Sequence, residues 1–431
     1  MAAASPKDDS ERGKDSPVLH DGGNLACRNI AHYRNAIEMR KLPLLMPGRA
    51  APFSEPAKRA RTLETKDGTE IYLSARPPII EGDDLAQLLA TAKVALSAMK
   101  DASVKPTDIA WGVFYLAANP RWPVGATLNE ALGLPANALT PITTLVLPPS
   151  QAGCFCTLQL KLVKGAAVWP GVTVSPLSST VLRQGIRHLH LLSLTPHTDL
   201  GRRATFADLV YDLFARAGHE LNARGLVFAD VARTWLYVRD IHSHHGDLNQ
   251  ARNRYFAEQH LSRLPASTVI GGALAGTDVS LSMDLYAVAG AGQAPRIESL
   301  GPGAMGEATD YGSSFARGMV VEQGGRRTLY LSGTASLDKS GKVVASGDPL
   351  GQIERMLDNV ASLLAEENLG FADLCSATVY LDDPKLRDPF LRAADRRGLA
   401  RDLPMAIVHA RICRPEWHCE MEAIASLTPS A

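Results

Sequence analysis

Cysteine is scarce in this 431-residue chain: six residues, none spaced as a metal knuckle. Cys154 and Cys156 are separated by one residue, where a zinc knuckle leaves more, and they sit in a strand-like run. Neither a disulfide scaffold nor a structural metal is indicated, and a reduced, cytoplasmic protein is expected. Net charge is missing as well, 45 basic residues balancing 45 acidic ones. Nucleic acid and membrane surfaces are therefore not indicated as partners. No run approaches the roughly eighteen apolar residues of a membrane span. The first sixty residues hold scattered charge, Pro and Gly without the apolar segment of a signal peptide. What is present is an ordinary apolar fraction of 45%, on a chain long enough for two or three domains.

One pattern occurs three times. Asp108, Asp230 and Asp373 are each followed by an aliphatic residue and, seven positions on, by Tyr115, Tyr237 and Tyr380. Helix-period stretches precede them at residues 85–100, 206–223 and 353–367. Each unit reads as helix, short loop and strand, the Asp serving the loop amides. Downstream, Leu-Pro-Ala recurs at 134–136 and 264–266, with Leu-Pro-Met at 403–405. An extended terminal strand closes each copy, over 155–163, 279–288 and 418–426. The copies are too long for solenoid repeats, so each is a domain. The expected division is 1–60 as a flexible extension (with 28–45 ordered against the body), then domains at 61–168, 169–294 and 295–431. Each domain reads as antiparallel strands with helices on one face, an α+β architecture. Three such sheets remove their free edges by closing around a pseudo-threefold axis.

The last terminal strand carries an energetic anomaly. Alternation puts His418, Glu420 and Glu422 on one face and Cys419, Met421 and Ala423 on the other. A carboxylate on a half-buried strand costs free energy unless it is paired or protonated. At the place of Glu420 the first copy has Thr157 and the second Ser282, so only one copy carries the acid. At the place of Glu422 the copies have Gln159 and Asp284. Polarity in all three suggests a structural role there. The structural alternative for Glu420 is an ion pair with Arg411 or Arg414.

Two further patterns carry little. His242, His244 and His245 with Asp247 have a spacing open to zinc, but a solvated loop is the expectation. Gly301-x-Gly303-x-x-Gly306 has no strand before it and no helix clearly opening after it, and reads as a linker into the third domain.

Residues of the third copy resemble the Rid (YjgF) family. Tyr311-Gly312-Ser313-Ser314-Phe315-Ala316-Arg317 is similar to its opening motif, and Ala410-Arg411-Ile412 with 419–425 to its closing ones. Rid deaminases hold the substrate carboxylate with an arginine just after the Pro of the Leu-Pro region, where this chain has Met405-Ala406-Ile407. Residues 170–431 further resemble the chorismatase family, in 332–336, Gly347-Asp348, 233–241, 247–253, 265–272 and 413–416 with Glu420. The resemblance implies three tandem Rid/YjgF-like (chorismate-mutase-like) domains forming an intramolecular pseudotrimer. It also implies a monomeric enzyme that uses no cofactor and no metal, with chorismate as its small-molecule partner.

Chorismate is a dicarboxylate with an enolpyruvyl ether. Losing pyruvate from it requires a proton on the terminal methylene carbon, hence an acid still protonated near neutral pH. By position and by resemblance that acid is Glu420, with Cys413 as the second catalytic candidate. Arg411, Arg414 and Arg317 are the candidate carboxylate holders, Arg411 foremost; Tyr311 orients a carboxylate or closes the pocket. In the family, a Cys at the place of Cys413 together with a Gly at the place of Gly333 goes with 3-hydroxybenzoate formation, 4-hydroxybenzoate being a further product. Cys413 assists as a nucleophile or shapes the pocket. The alternatives are a hydrolytic chorismatase giving a dihydrodiol, a Rid-type enamine/imine deaminase, and a non-catalytic ligand-binding protein.

Overall fold

In the computed structural model, residues 56–427 are described except 66–67, 165–166, 173–176, 184, 198–203 and 291–294. Most of the expected extension, and Cys27 with it, lies outside the described residues. Its last part is not an extension: residues 58–60 already pair with 73–75.

The first domain runs through β1 (Lys58–Thr65), β2 (Gly68–Ala75), α1 (Asp84–Asp101), β3 (Ile109–Leu116), α2 (Val124–Ala131), β4 (Ile142–Val146) and β5 (Cys156–Lys164). The second holds β6 (Ala167–Val172), β7 (Leu177–Arg183), β8 (Ile186–Leu194), α3 (Phe206–Asn222), β9 (Val231–Val238), α4 (Ile241–Glu258), β10 (Ala266–Gly271), β11 (Ala273–Leu274) and β12 (Leu281–Gly290). In the third are β13 (Arg296–Ser299), β14 (Gly318–Gln323), β15 (Arg326–Thr334), α5 (Pro349–Ala365), β16 (Leu374–Leu381), α6 (Arg387–Arg396), β17 (Met405–His409) and β18 (Cys419–Leu427). The three sheets repeat one topology: β2-β5-β3-β4, β8-β12-β9-β10 and β15-β18-β16-β17. Each terminal strand is threaded into the middle of its sheet, and the last two strands of each run are parallel.

Local chemistry sets these elements. The carboxylates of Asp108, Asp230 and Asp373 accept from the backbone N–H of Lys105 (3.0 Å), Val227 (2.9 Å) and Gly370 (2.8 Å), closing the loop before β3, β9 and β16. Asp348, with Pro349 behind it, caps α5 by accepting from Leu350 and Gly351 N–H. Two readings are corrected. Residues 241–258 form a helix, not a solvated loop, because Ile241, Leu248, Ala251, Tyr255 and Phe256 recur at helical spacing and are buried. The Gly301 segment does follow a short strand, β13, although no α-helix opens after it.

The central strands of each sheet are covered twice. Its outer face packs on its own helices, as Met421, Ala423 and Ala425 do on α5 residues in the third domain. Its inner face meets the other two sheets in one shared cluster that includes Tyr72, Trp111, Trp235, Tyr286 and Tyr330. Alternation along β5, β12 and β18 therefore separates a helix side from an axis side, not core from solvent. Polar groups on the axis side must find partners, within their own domain or across a domain boundary. Glu422 accepts from Arg233 Nη2 (2.6 Å) and Trp235 Nε1 (3.1 Å) of the second domain and from Tyr380 Oη (3.2 Å). Gln159 Nε2 donates to Ala377 O of the third domain (2.8 Å), whereas Asp284 accepts from Ser193 N–H of its own domain (2.6 Å).

Glu70 joins all three domains. It is paired with Lys161 of its own domain (3.4 Å), Arg183 of the second and Arg326 of the third (2.7 Å). Burial alone would push its carboxyl up, but these three cations together hold it well below the usual carboxylate range. Breaking such a buried pair costs about 3–5 kcal/mol, so Glu70→Gln should lower the denaturation midpoint at pH 7 by an equivalent amount. A depressed carboxyl stabilises above its ordinary value, near 4.5, and that stabilisation is lost as pH falls towards the folded-state value. Acid titration of the parent should therefore be steeper than that of Glu70→Gln; parallel curves would show that Glu70 carries no such linkage.

Candidate active site

The strand registers align the three copies independently of sequence. Tyr380 pairs with Glu420, Tyr115 with Thr157 and Tyr237 with Ser282. The acid therefore occupies a place that exists three times in the architecture. In the third domain that place faces β10 of the second. Ser267 N–H donates to Ser332 Oγ (2.9 Å), and Gly333 N–H donates to Thr268 Oγ1 (2.9 Å). Between the two domains opens a cleft of about 490 Å³, its open mouth included, within the size range of small-molecule sites.

Glu420 lies on the floor of this cleft with only 3% of its surface exposed. Its Oε2 has no hydrogen-bond partner among the described residues. Burial, followed by the neighbouring charge of Glu422, pushes its carboxyl up to about 8 against the opposing pull of Arg233 and Arg317. Such a group is a carboxylic acid at neutral pH. The expected structural alternative does not occur: among the described residues neither Arg411 nor Arg414 forms an ion pair with it. Gly333 makes the arrangement sterically feasible. A Cβ at position 333 would overlap Glu420 Oε1 and stand 2.8 Å from its Cδ.

The predicted cations separate. Arg317 is buried in the cleft wall, where Nε and Nη2 donate to Gly306 O (2.9 and 2.7 Å). Arg414 also lines the cleft and donates to Gly341 O (3.1 Å). Tyr311 lies between them, its ring 5.2 Å from the Arg317 guanidinium and 5.0 Å from that of Arg414. Arg411 is not in the cleft. Its carbonyl accepts from Gly271 N–H (2.8 Å) and its side chain is exposed. The extended segment 410–412 turns this residue outwards, so the foremost sequence candidate is displaced by its neighbours.

Cys413 is at the cleft wall, half-buried. Burial, and then the charge of Glu420, raises its thiol well above the ordinary value. It is held as a neutral thiol, which suits shaping the pocket better than nucleophilic attack.

Sequence reasoning did not assign Arg252 or His245 to the substrate site, and both, on α4, line the cleft. Arg252 is fully buried; its Nη2 donates to Asn249 Oδ1 (2.6 Å), while Nε and Nη1 have no partner among the described residues. Burial lowers it to about 10, still charged at neutral pH. An unsatisfied buried guanidinium is an anion receptor awaiting its anion. His245 is neutral, lowered by burial to about 4. The available signal was spacing: residues 245 and 252 are two helical turns apart and share a face once 241–258 is read as a helix. The other two histidines go elsewhere, His242 to Ile412 O (2.9 Å) and His244 onto the Phe206 ring (4.0 Å). Among the described residues no three His, Cys, Asp or Glu side chains are grouped to hold a metal ion.

The cleft thus combines a protonated acid, an unsatisfied arginine and two further cations around a partly aromatic wall. Comparison with known proteins bears on the scaffold. The family model described as Endoribonuclease L-PSP matches residues 315–427. No curated protein matches the chain. Among solved structures, a chorismatase at 1.08 Å resolution is similar over 86% of this chain and 99% of its own, with 18% identity and a TM-score of 0.56. Single-domain structures align with less than a third of the chain. Yeast Mmf1 covers 31% of it and 100% of itself, at 21% identity and TM-score 0.27. RidA from an Antarctic Psychrobacter covers 30% and 99%, at 16% identity and TM-score 0.25. The chain is built as three tandem Rid/YjgF-like α+β domains closed into an intramolecular pseudotrimer, a fold it shares with the chorismatase.

Proposed function

We propose that this protein is a chorismate lyase of chorismatase type, releasing pyruvate with 3-hydroxybenzoate as the main aromatic product. The observation that carries the reading is the buried Glu420 carboxyl, raised to about 8 in a cleft that also presents Arg252, Arg317 and Arg414. Carbon protonation needs an acid that is still protonated at working pH and fixed against the carbon. Two substrate carboxylates need cations, and the free donors of Arg252 are suited to one of them.

In the proposed sequence Glu420 gives its proton to the enolpyruvyl methylene, forming an oxocarbenium ion. The ring C–O bond then breaks with its electron pair going to the departing oxygen, which leaves as pyruvate. The adjacent ring hydroxyl takes the vacated carbon and gives up its proton, which replaces the one lost from the acid. The resulting epoxide isomerises to the phenol. No water is consumed. Gly333 leaves room for the acid, and the neutral Cys413 thiol supports the hydroxybenzoate subtype by occupying space that water would otherwise take. A deaminase is disfavoured at this cleft in particular. The strand facing Glu420 belongs to the second domain, where the position equivalent to Met405 is Ser267, again not an arginine.

Incubation with chorismate should yield pyruvate and 3-hydroxybenzoate in equal amounts, resolved by chromatography. Absence of pyruvate would refute the lyase reading, whereas a dihydrodiol would refute only the subtype. Glu420→Gln should lower kcat by about 10²–10⁴-fold while retaining the parent's circular dichroism. Because the acid form is required, kcat should fall as pH rises through about 8. With its carboxyl raised from about 4.5 to about 8, the stability Glu420 allows is fully present below its ordinary value and is lost as pH rises from there through the folded-state value. Glu420→Gln should therefore melt higher than the parent at pH 9, relative to their difference at pH 6. Arg252→Met should raise KM more than tenfold, and an unchanged KM would remove it from the substrate site.

A further inference from the structure

The charge beside the acid is held from another domain, and at only one of three equivalent places is it held by a cation. Glu422 follows Glu420 on the same face of β18 and is gripped by successive inward residues of β9. Arg233 Nη2 donates to its Oε2 (2.6 Å) and Trp235 Nε1 to its Oε1 (3.1 Å). Counted from the loop aspartates, the places of Arg233 and Trp235 are Trp111 and Val113 in the first copy, Ser376 and Thr378 in the third. The grip recurs around the axis in neutral form. Gln159, the counterpart of Glu422, accepts from Thr378 Oγ1 (3.0 Å) and has Ser376 Oγ at 3.5 Å. Asp284, the remaining counterpart, accepts from Ser193 N–H of its own domain, and Trp111 and Val113 offer no cation. Among the described residues an ion pair at this place therefore occurs only at the interface that carries the acid.

Arg233 also reaches the floor of the cleft. The same Nη2 donates to Thr268 Oγ1, which accepts from Gly333 N–H as well (2.9 Å). Gly333 is the residue whose missing Cβ leaves room for Glu420 Oε1. One guanidinium thus fixes both the neighbouring charge and, through Thr268, the backbone on which the acid rests. Arg233 and Glu422 are both buried, so water screens neither charge.

Burial is the largest cause of the raised Glu420 carboxyl, and three charges then act on it. Glu422 on its own strand raises it, while Arg233 on β9 and Arg317 before β14 oppose. Burial keeps Tyr380 of β16, Tyr311 and Cys413 neutral by raising them, and His245 of α4 neutral by lowering it. Arg252 of α4 and Arg414 complete the groups around the acid. Of all these only Glu422 and Arg233 are bound to each other, so removing one leaves the other's charge uncompensated.

We propose that the Arg233–Glu422 pair is a positioning element for the acid, in which Glu422 keeps the proton on Glu420 while Arg233 limits that effect and holds the Gly333 backbone through Thr268. Its consequence for turnover rests on the reading of Glu420 as proton donor.

Carboxyl-carbon NMR of the full chain, isotopically labelled at glutamate, tests it without turnover, the Glu420 line being identified by its loss in Glu420→Gln. In Glu422→Gln the Glu420 titration should move to lower pH by about one pH unit or more. In Arg233→Met, where Trp235 and Tyr380 still donate to Glu422, it should move to higher pH. The alkaline limb of kcat for pyruvate release should follow in both. An unmoved titration in either variant, or movement in the same direction in both, overturns the proposal. Opposite movements in a protein that releases no pyruvate uphold the pair's role and overturn the lyase reading alone. Should a single change prevent folding, Arg233→Met/Glu422→Gln, which leaves no unpaired charge, decides the matter. Its Glu420 titration should lie below the parent's, because the carboxylate outweighs the guanidinium; a titration at or above the parent's overturns the proposal.

Discussion

Everything in this molecule depends on the central strands of three sheets having no face left for water. Once the outer faces are covered by helices, the inner faces can meet only one another, and several side chains on them are satisfied across domain boundaries. Glu70 shows the constraint most sharply, with cations from three domains converging on one carboxylate. Glu422 shows it again, bound by a guanidinium and an indole of the preceding domain. These contacts are demanding rather than merely stabilising, because each leaves a buried charge exposed to its full desolvation cost if the domains shift. They fix the position of one domain on another, and so the width of the clefts between them.

Within that frame, chemistry is decided by single residues at equivalent points. Thr157, Ser282 and Glu420 occupy the same register against the same tyrosine. What surrounds each differs by neighbour. Glu420 shares its cleft with the buried Arg252 of α4; Thr157 lines a cleft walled by β17 and α6; Ser282 has β4 beside its domain paired with β11. The acid's raised value follows from its surroundings as much as from its identity. A fully covered strand, a like charge two residues on and no hydrogen-bond donor on Oε2 all favour the protonated form.

Much of this was legible in the chain. The Asp-to-Tyr spacing located three helix–loop–strand units because each Asp closes its own loop through local hydrogen bonds. Alternation along β18 singled out Glu420, and comparing copies showed it to be unique. The rest depended on contacts that periodicity does not encode. Arg411 and Arg414 lie nine and six residues before Glu420, and only the irregular path of residues 410–418 decides which one enters the cleft. Arg252 comes from another domain, and its helix was obscured by a polar start, Ile241 being followed by His, Ser, His, His and Gly. Strands read as half-buried proved buried on both sides, since nothing in a single strand's pattern announces a partner sheet.

Gly333 and Glu420 together show what covalent linkage of the copies permits. An assembly of three identical subunits would have to repeat any residue at all three interfaces. A desolvated carboxyl, and the missing side chain that makes room for it, would then tax folding threefold. Here the burden is borne at one interface alone. The other two remain free to carry a threonine or a serine, and to drift towards different uses without disturbing the one that holds the acid.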